Sequence, residues 1–114
     1  MPRLLLLLTL LVAVPPPAQA SSSEDEVRFG IDVARRGLWR EARFRFEKAV
    51  QQDPDNAAAL NDLAIALEQE GDFDKARAAY ERALKLDKSL YIQQNYDLFR
   101  EADDKRNRKA KKKP

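Results

Sequence analysis

The sequence predicts an all-α fold, and three observations carry that expectation. Apolar residues recur at three- and four-residue steps, which is a helical stripe rather than strand alternation. The chain also matches itself at an offset of 34 residues, a period in the range of solenoid arrays. Third, 44% hydrophobic and 35% charged residues among 114 form a balance suited to one helix-compatible globular domain. The zero counts of Cys and His exclude disulfides, thiol chemistry, Cys/His metal sites and imidazole catalysis, and with them most enzyme classes.

The first 20 residues predict a secretory signal peptide. Arg3 supplies the positive start, Leu4 to Val14 are apolar apart from Thr9, and Pro15, Pro16 and Pro17 end any helix. Ala18-Gln19-Ala20 then offers a small-x-small cleavage site, with cut expected after Ala20. The apolar run of 11 residues is well short of the roughly 20 that a membrane-spanning helix requires. The expected location is therefore outside the cytoplasm, periplasmic or secreted.

Residues 21–104 form the predicted helical domain, with repeats over about 23–56 and 57–90. Ser23 with Glu26 three positions later predicts a capping box for a helix over 24–36, which Gly37 stops. A second helix over 39–52 closes at Asp53-Pro54. In the second copy Asp55 is the expected cap of a helix over 56–70, with Leu60, Leu63, Ala64 and Leu67 on one stripe and Gly71 at its end. Asp72 caps the next helix, over 73–86, whose inner face is Phe73, Ala76, Tyr80, Ala83 and Leu84. Ten positions coincide in class at the 34-residue offset, from Phe29 with Leu63 and Gly30 with Ala64 to Phe46 with Tyr80 and Asp53 with Asp87. Ala42 and Ala76 mark where helices approach closely, and Phe46 and Tyr80 fill the space one turn later. Ile92, Tyr96 and Phe99 predict a fifth, capping helix over about 90–104, fading near Arg106.

Gly30/Ala64, Gly37/Gly71, Trp39/Phe73, the pairs Ala42/Ala49 and Ala76/Ala83, and Pro54 together resemble the tetratricopeptide repeat family at its own period. The resemblance covers about residues 23–90. It implies two helical hairpins plus a cap in a right-handed α-α superhelix, a non-enzymatic role, and a concave groove lined by the first helix of each hairpin. Two departures stand out. Glu26 replaces a bulky apolar residue, which suits an exposed terminal helix, and Lys88 replaces the closing proline, which leaves the exit into the fifth helix less sharply defined.

Carboxylate pairs offer no catalytic site. Asp53/Asp55, Asp72/Asp74 and Asp103/Asp104 sit at predicted helix ends, where acids cap and favour the dipole. Asp53-Pro54-Asp55-Asn56 lacks the order of a calcium loop, and three glycines make no phosphate loop. No cofactor and no metal are expected.

The resemblance places Val27, Ile31, Ala34 and Arg35 of the first copy beside Asn61, Ile65, Glu68 and Gln69 of the second on the groove face. These residues also lie off the core stripes. Ile31 and Ile65 are then exposed apolar anchors, and Asn61 is a donor for a peptide backbone. Some family members grip C-terminal carboxylates through Lys, Asn and Arg; Val27, Ile31 and Asp62 oppose that here, so apolar recognition of an extended or helical segment is expected. Tyr91, Tyr96 and Phe99 serve either as cap or as docking surface.

Charge is segregated. Residues 21–104 carry 19 acidic and 13 basic side chains, while 105–113 hold Lys105, Arg106, Arg108, Lys109, Lys111, Lys112 and Lys113 with no acid. The tail over 105–114 is expected to be disordered and to suit an anionic surface, not sequence-specific nucleic acid, because it lacks aromatic stacking groups. The expected function is an exported adaptor holding a peptide or protein partner in its groove. A structural subunit that dimerises or stacks on a larger envelope complex is the alternative.

Overall fold

In the computed structural model, residues 12–14 and 21–113 are described; nearly all of the expected signal peptide lies outside them. Five helices follow in order: α1 (Ser23–Arg35), α2 (Trp39–Gln52), α3 (Ala57–Gln69), α4 (Phe73–Leu86) and α5 (Leu90–Lys112). There is no strand among the described residues, and no described helix is long and apolar enough to cross a membrane. Helices α1/α2 and α3/α4 form two hairpins, α2 packs on α3 between them, and α5 packs on α4.

Side-chain caps start α1, α3, α4 and α5, two of them displaced by one residue from the expected position, whereas α2 begins after Leu38 without one. The capping box of α1 is Ser22 with Asp25, not Ser23 with Glu26: the Asp25 N–H donates to Ser22 Oγ at 3.1 Å, and the Ser22 N–H to Asp25 Oδ2 at 3.2 Å. Ser23 is instead buried and donates to the Ala49 carbonyl at 2.9 Å, tying α1 to the end of α2. Asn56, rather than Asp55, caps α3, accepting from Ala59 N–H at 3.0 Å. Its amide nitrogen also reaches Ser23 Oγ at 3.0 Å and so links the start of α1 to the start of α3. Asp72 caps α4 as expected.

The hairpin turns need glycine. Gly37 has φ +76° and Gly71 φ +83°, a region where a Cβ is costly. In each case the residue after the glycine bonds back into the helix: Leu38 N–H to Val33 O at 3.1 Å, and Asp72 N–H to Leu67 O at 2.9 Å. At the other end Asp53 and Asp87 adopt the same extended conformation. The exit into α5 is thus as defined as its counterpart without a proline; Lys88 costs nothing there because Ser89 caps α5, accepting from Ile92 N–H at 3.2 Å.

Packing is small against large. Ala42, Ala76, Ala64 and Ala83 are completely buried, and Phe46 and Tyr80 are 2% and 1% exposed. A methyl group added at Gly30 would run into the Phe46 ring. The second copy accommodates Ala64 in the same cluster as Tyr80, which also meets the Phe99 ring at 5.3 Å and the Tyr96 ring at 5.9 Å.

Two expectations fail at the ends of the domain. Glu26 is not exposed but 3% accessible; its carboxylate meets Lys48 at 3.2 Å and Arg45 at 3.4 Å and accepts from the Ser21 hydroxyl. Ser21 first, then the two cations, hold it below the usual carboxylate range against the cost of burial. The segment expected to be a disordered tail is helical through Lys112. Cations at a helix C-terminus complement its dipole, Lys, Arg and Ala are good helix formers, and Arg77 and Arg106 clamp the buried Asp103 at 2.6 and 3.2 Å.

Because alanine normally outranks glycine within a helix by about 1 kcal/mol, Gly30 gives a test of sign. Gly30→Ala is expected to lower unfolding free energy by about 1–3 kcal/mol in urea titration through overpacking against Phe46. Adding Phe46→Leu is expected to recover part of that loss.

Candidate functional site

On a helix, successive residues lie about 100° apart. Once Gly30 faces α2 and Ala64 faces α4, Ile31 and Ile65 must turn away from those partners onto the adjoining side. The structure brings both into one hollow of about 410 Å3. Ile31, Ala34 and Arg35 from α1, Trp39 and Phe46 from α2, Asp62 and Ile65 from α3, and Tyr91 from α5 line it. Ile31 and Ile65 are half-buried rather than fully exposed, since each also packs on a core cluster of its own chain.

Ile65 is shared with a second hollow of about 500 Å3, between α3 and α5. Glu68, Gln69, Phe73, Leu98, Ala102 and Arg106 are among its walls. The two hollows form a continuous face across α1, α3 and α5. Six of the eight residues assigned to the groove from sequence, namely Ile31, Ala34, Arg35, Ile65, Glu68 and Gln69, lie on it.

The other two do not. Val27 lines a separate depression at the opposite end of α1, with Glu24, Arg28, Asp53 and Asp87. Asn61 is 1% exposed, and its Oδ1 accepts from Asn95 Nδ2 at 3.2 Å. It joins α3 to α5, and its Nδ2 is buried out of reach of a peptide. The position reads as polar in sequence, but only the docking of α5 reveals that it is covered.

The three aromatics of α5 divide between the two roles proposed for them. Phe99 is 1% exposed and belongs to the core; Tyr96 is half-buried and donates to Glu81 at 2.8 Å. Tyr91 is 63% exposed and walls the first hollow. Trp39, Phe46 and Asp62 were not among the groove residues read from sequence. The neighbour rule that gives Ile31 and Ile65 would have found Asp62, which lies one turn before Ile65.

Four carboxylates near or within this framework behave in two ways. Arg77, and then Arg106, hold the Asp103 carboxyl low. Glu26 is also low, as described. Burial instead pushes Asp62 up to about 6, opposed weakly by the Asn61 amide, and raises Glu68 against the pull of Arg106. The difference is the cation: among the described residues no Lys or Arg forms an ion pair with Asp62, and Arg35 at the rim instead meets Asp32 at 3.8 Å. No group of acids among the described residues could hold a metal ion.

Arg106 leaves the set of free tail cations. Besides Asp103 it covers the Phe73 ring at 3.5 Å. Lys105, Arg108, Lys109, Lys111, Lys112 and Lys113 remain exposed.

Comparison with protein families matches the tetratricopeptide repeat over residues 34–94, more than half of the chain. The chain belongs to the tetratricopeptide repeat family. A comparison with curated proteins gives no match. Tetratricopeptide repeats generally mediate protein–protein interaction and are generally not enzymes. The repeat accounts for the glycine turns, the small-against-aromatic packing and the register that turns Ile31 and Ile65 toward the hollow.

Asp62 sets a pH dependence on this repeat. An acid whose pKa is higher folded than unfolded binds more protons when folded, so the stability it permits is present at low pH and lost as pH rises from about 4 to 6. Asp62→Asn is expected to raise unfolding free energy at pH 7 by on the order of 1 kcal/mol. It is also expected to leave stability flatter across that window, read from urea midpoints at each pH.

Proposed function

We propose that this chain is an exported adaptor that holds a segment of a protein partner against the face formed by α1, α3 and α5. The single observation that carries the reading is the pair of joined hollows around Ile65, in which isoleucine and aromatic side chains stand among a few charged ones. Such a surface excludes water from a partner's side chains, and the half-buried isoleucines supply apolar anchors with little rotamer entropy to lose. Three donors on this face are engaged elsewhere, Arg106 by Asp103, Asn95 by Asn61 and Arg35 by Asp32, and Asp62 and Glu68 oppose a free carboxylate. Export rests on the sequence pattern of residues 1–20.

The test is affinity capture from the envelope fraction of the cells that make the protein. Ile31→Glu with Ile65→Glu is expected to abolish capture of any partner held by the wild-type chain, while the helical circular dichroism signal persists. Equal capture by the folded double variant would overturn the groove assignment. Ile65→Ser, which places no charge near the core, gives the same readout with less risk to folding.

A second reading concerns the basic end. Lys105, Arg108, Lys109 and Lys112 fall at i, i+3, i+4 and i+7 of the helical segment and so share one face. That arrangement supports docking of α5 on an anionic surface, each close cation adding about 1 kcal/mol at low salt. Truncation after Asn107 keeps the Arg106–Asp103 contact and removes most of the free cations. The truncated chain is expected to elute earlier from an anionic matrix at low salt and together with the full chain at high salt. Identical elution at low salt would contradict this reading.

A further inference from the structure

Among the carboxylates that this chain draws out of water, Asp62 lines a hollow and makes no ion pair among the described residues; the one basic group in that wall, Arg35, meets Asp32 instead. Glu26 has Lys48 and Arg45, and Asp103 has Arg77 and Arg106. Asp62 sits among Ile31, Trp39, Ile65 and Tyr91 in the first hollow, where a carboxylate has been taken out of water with only the Asn61 amide to offset the cost. A hollow of about 410 Å3 with isoleucine and aromatic walls and an acid that makes no ion pair is complementary to a side chain with an apolar body and one positive charge.

We infer that the first hollow accepts a single lysine or arginine side chain, carried beside apolar residues of a partner segment, with Asp62 as its counter-ion. This inference rests on the reading of the face as a partner-binding surface and names the partner chemistry. The long alkyl stem of such a side chain packs on Ile31, Ile65 and the Trp39 and Tyr91 rings, and its charged end reaches the carboxylate. A ring face also attracts the cation. Arg35 is the one basic group in the wall; its exposed side chain lies beside Asp32 at 3.8 Å.

The pairing carries a pH dependence. Groups facing Asp62 are the Asn61 amide on its own helix, Arg35 from α1 and Tyr91 from α5, with the Tyr80 hydroxyl of α4 coupled to it through space. Asp62 is the one carboxylate in the wall of this hollow and sets its profile. With Asp62 titrating near 6, the ionised fraction falls about tenfold between pH 7 and pH 5.

The probe is a displayed library of random short peptides, selected on the immobilised protein at pH 7. Tyr91→Ala serves to locate binders, because Tyr91 is 63% exposed and outside the core. Peptides weakened by Tyr91→Ala are expected to be enriched in Lys or Arg next to apolar residues. They are expected to bind Asp62→Asn about tenfold more weakly, and to lose about tenfold in affinity from pH 7 to pH 5 on the wild type but not on Asp62→Asn. Peptides that depend on Tyr91 yet lack a cation, or ignore Asp62→Asn, would overturn this inference and leave the groove reading standing. Recovery of no Tyr91-dependent peptide would overturn both.

Discussion

The close approach of the two helices in each hairpin is the constraint on which the rest of this structure depends. Gly30 lies beneath the Phe46 ring with no room for a methyl group, and Ala64 shares a cluster with Tyr80. Ala42 and Ala76 are fully buried. Small residues let the backbones meet, and the aromatic rings fill what remains. The orientation of each first helix follows, and with it the position of Ile31 and Ile65 about 100° further round. The face that carries the hollows is therefore a by-product of core register: the residue that permits close packing is followed directly in sequence by the residue that faces the hollow.

Electrostatics divide this chain more finely than its net charge of +2 suggests. Glu26 and Asp103 are buried acids satisfied by cations from other turns or helices, and both hold structure together: Glu26 ties α1 to α2, and Asp103 joins α4 to the last turns of α5. Asp62 and Glu68 lie on the open face, where burial raises both and neither is comparably paired. Replacing one member of a satisfied pair strands a charge in the interior. An acid left unpaired beside a cavity imposes a cost on the free protein that a cationic ligand would relieve.

Much of the fold was legible because it is periodic. The 34-residue offset places Gly37 and Gly71, and the four hairpin helices begin and end within one residue or so of where apolar spacing puts them. What escaped detection depends on contacts between distant residues. Ser22 and Ser23, or Asp55 and Asn56, are equally good caps in isolation; the choice is made by Ser23 bonding across to Ala49 and by Asn56 reaching back to Ser23. Glu26 looks exposed until Lys48 and Arg45 are brought to it. Asn61 looks available until α5 lies over it, and Arg106 looks like tail until Phe73 and Asp103 are found beneath it. Six of the eight residues read as groove-facing line the joined hollows because their register follows core register; Trp39 and Tyr91 were not assigned there because they reach the hollow from other helices.

The most direct measurement of the packing claim is proton cross-relaxation by nuclear magnetic resonance between the Phe46 ring and the Gly30 α-protons, with the Tyr80 ring and the Ala64 methyl as the second pair. The account predicts strong cross-peaks for both pairs, since these contacts set the register of each hairpin. Absence of both in a chain that is helical by circular dichroism would contradict it, because the hairpins would then be packed through some other face and Ile31 and Ile65 would have no reason to meet.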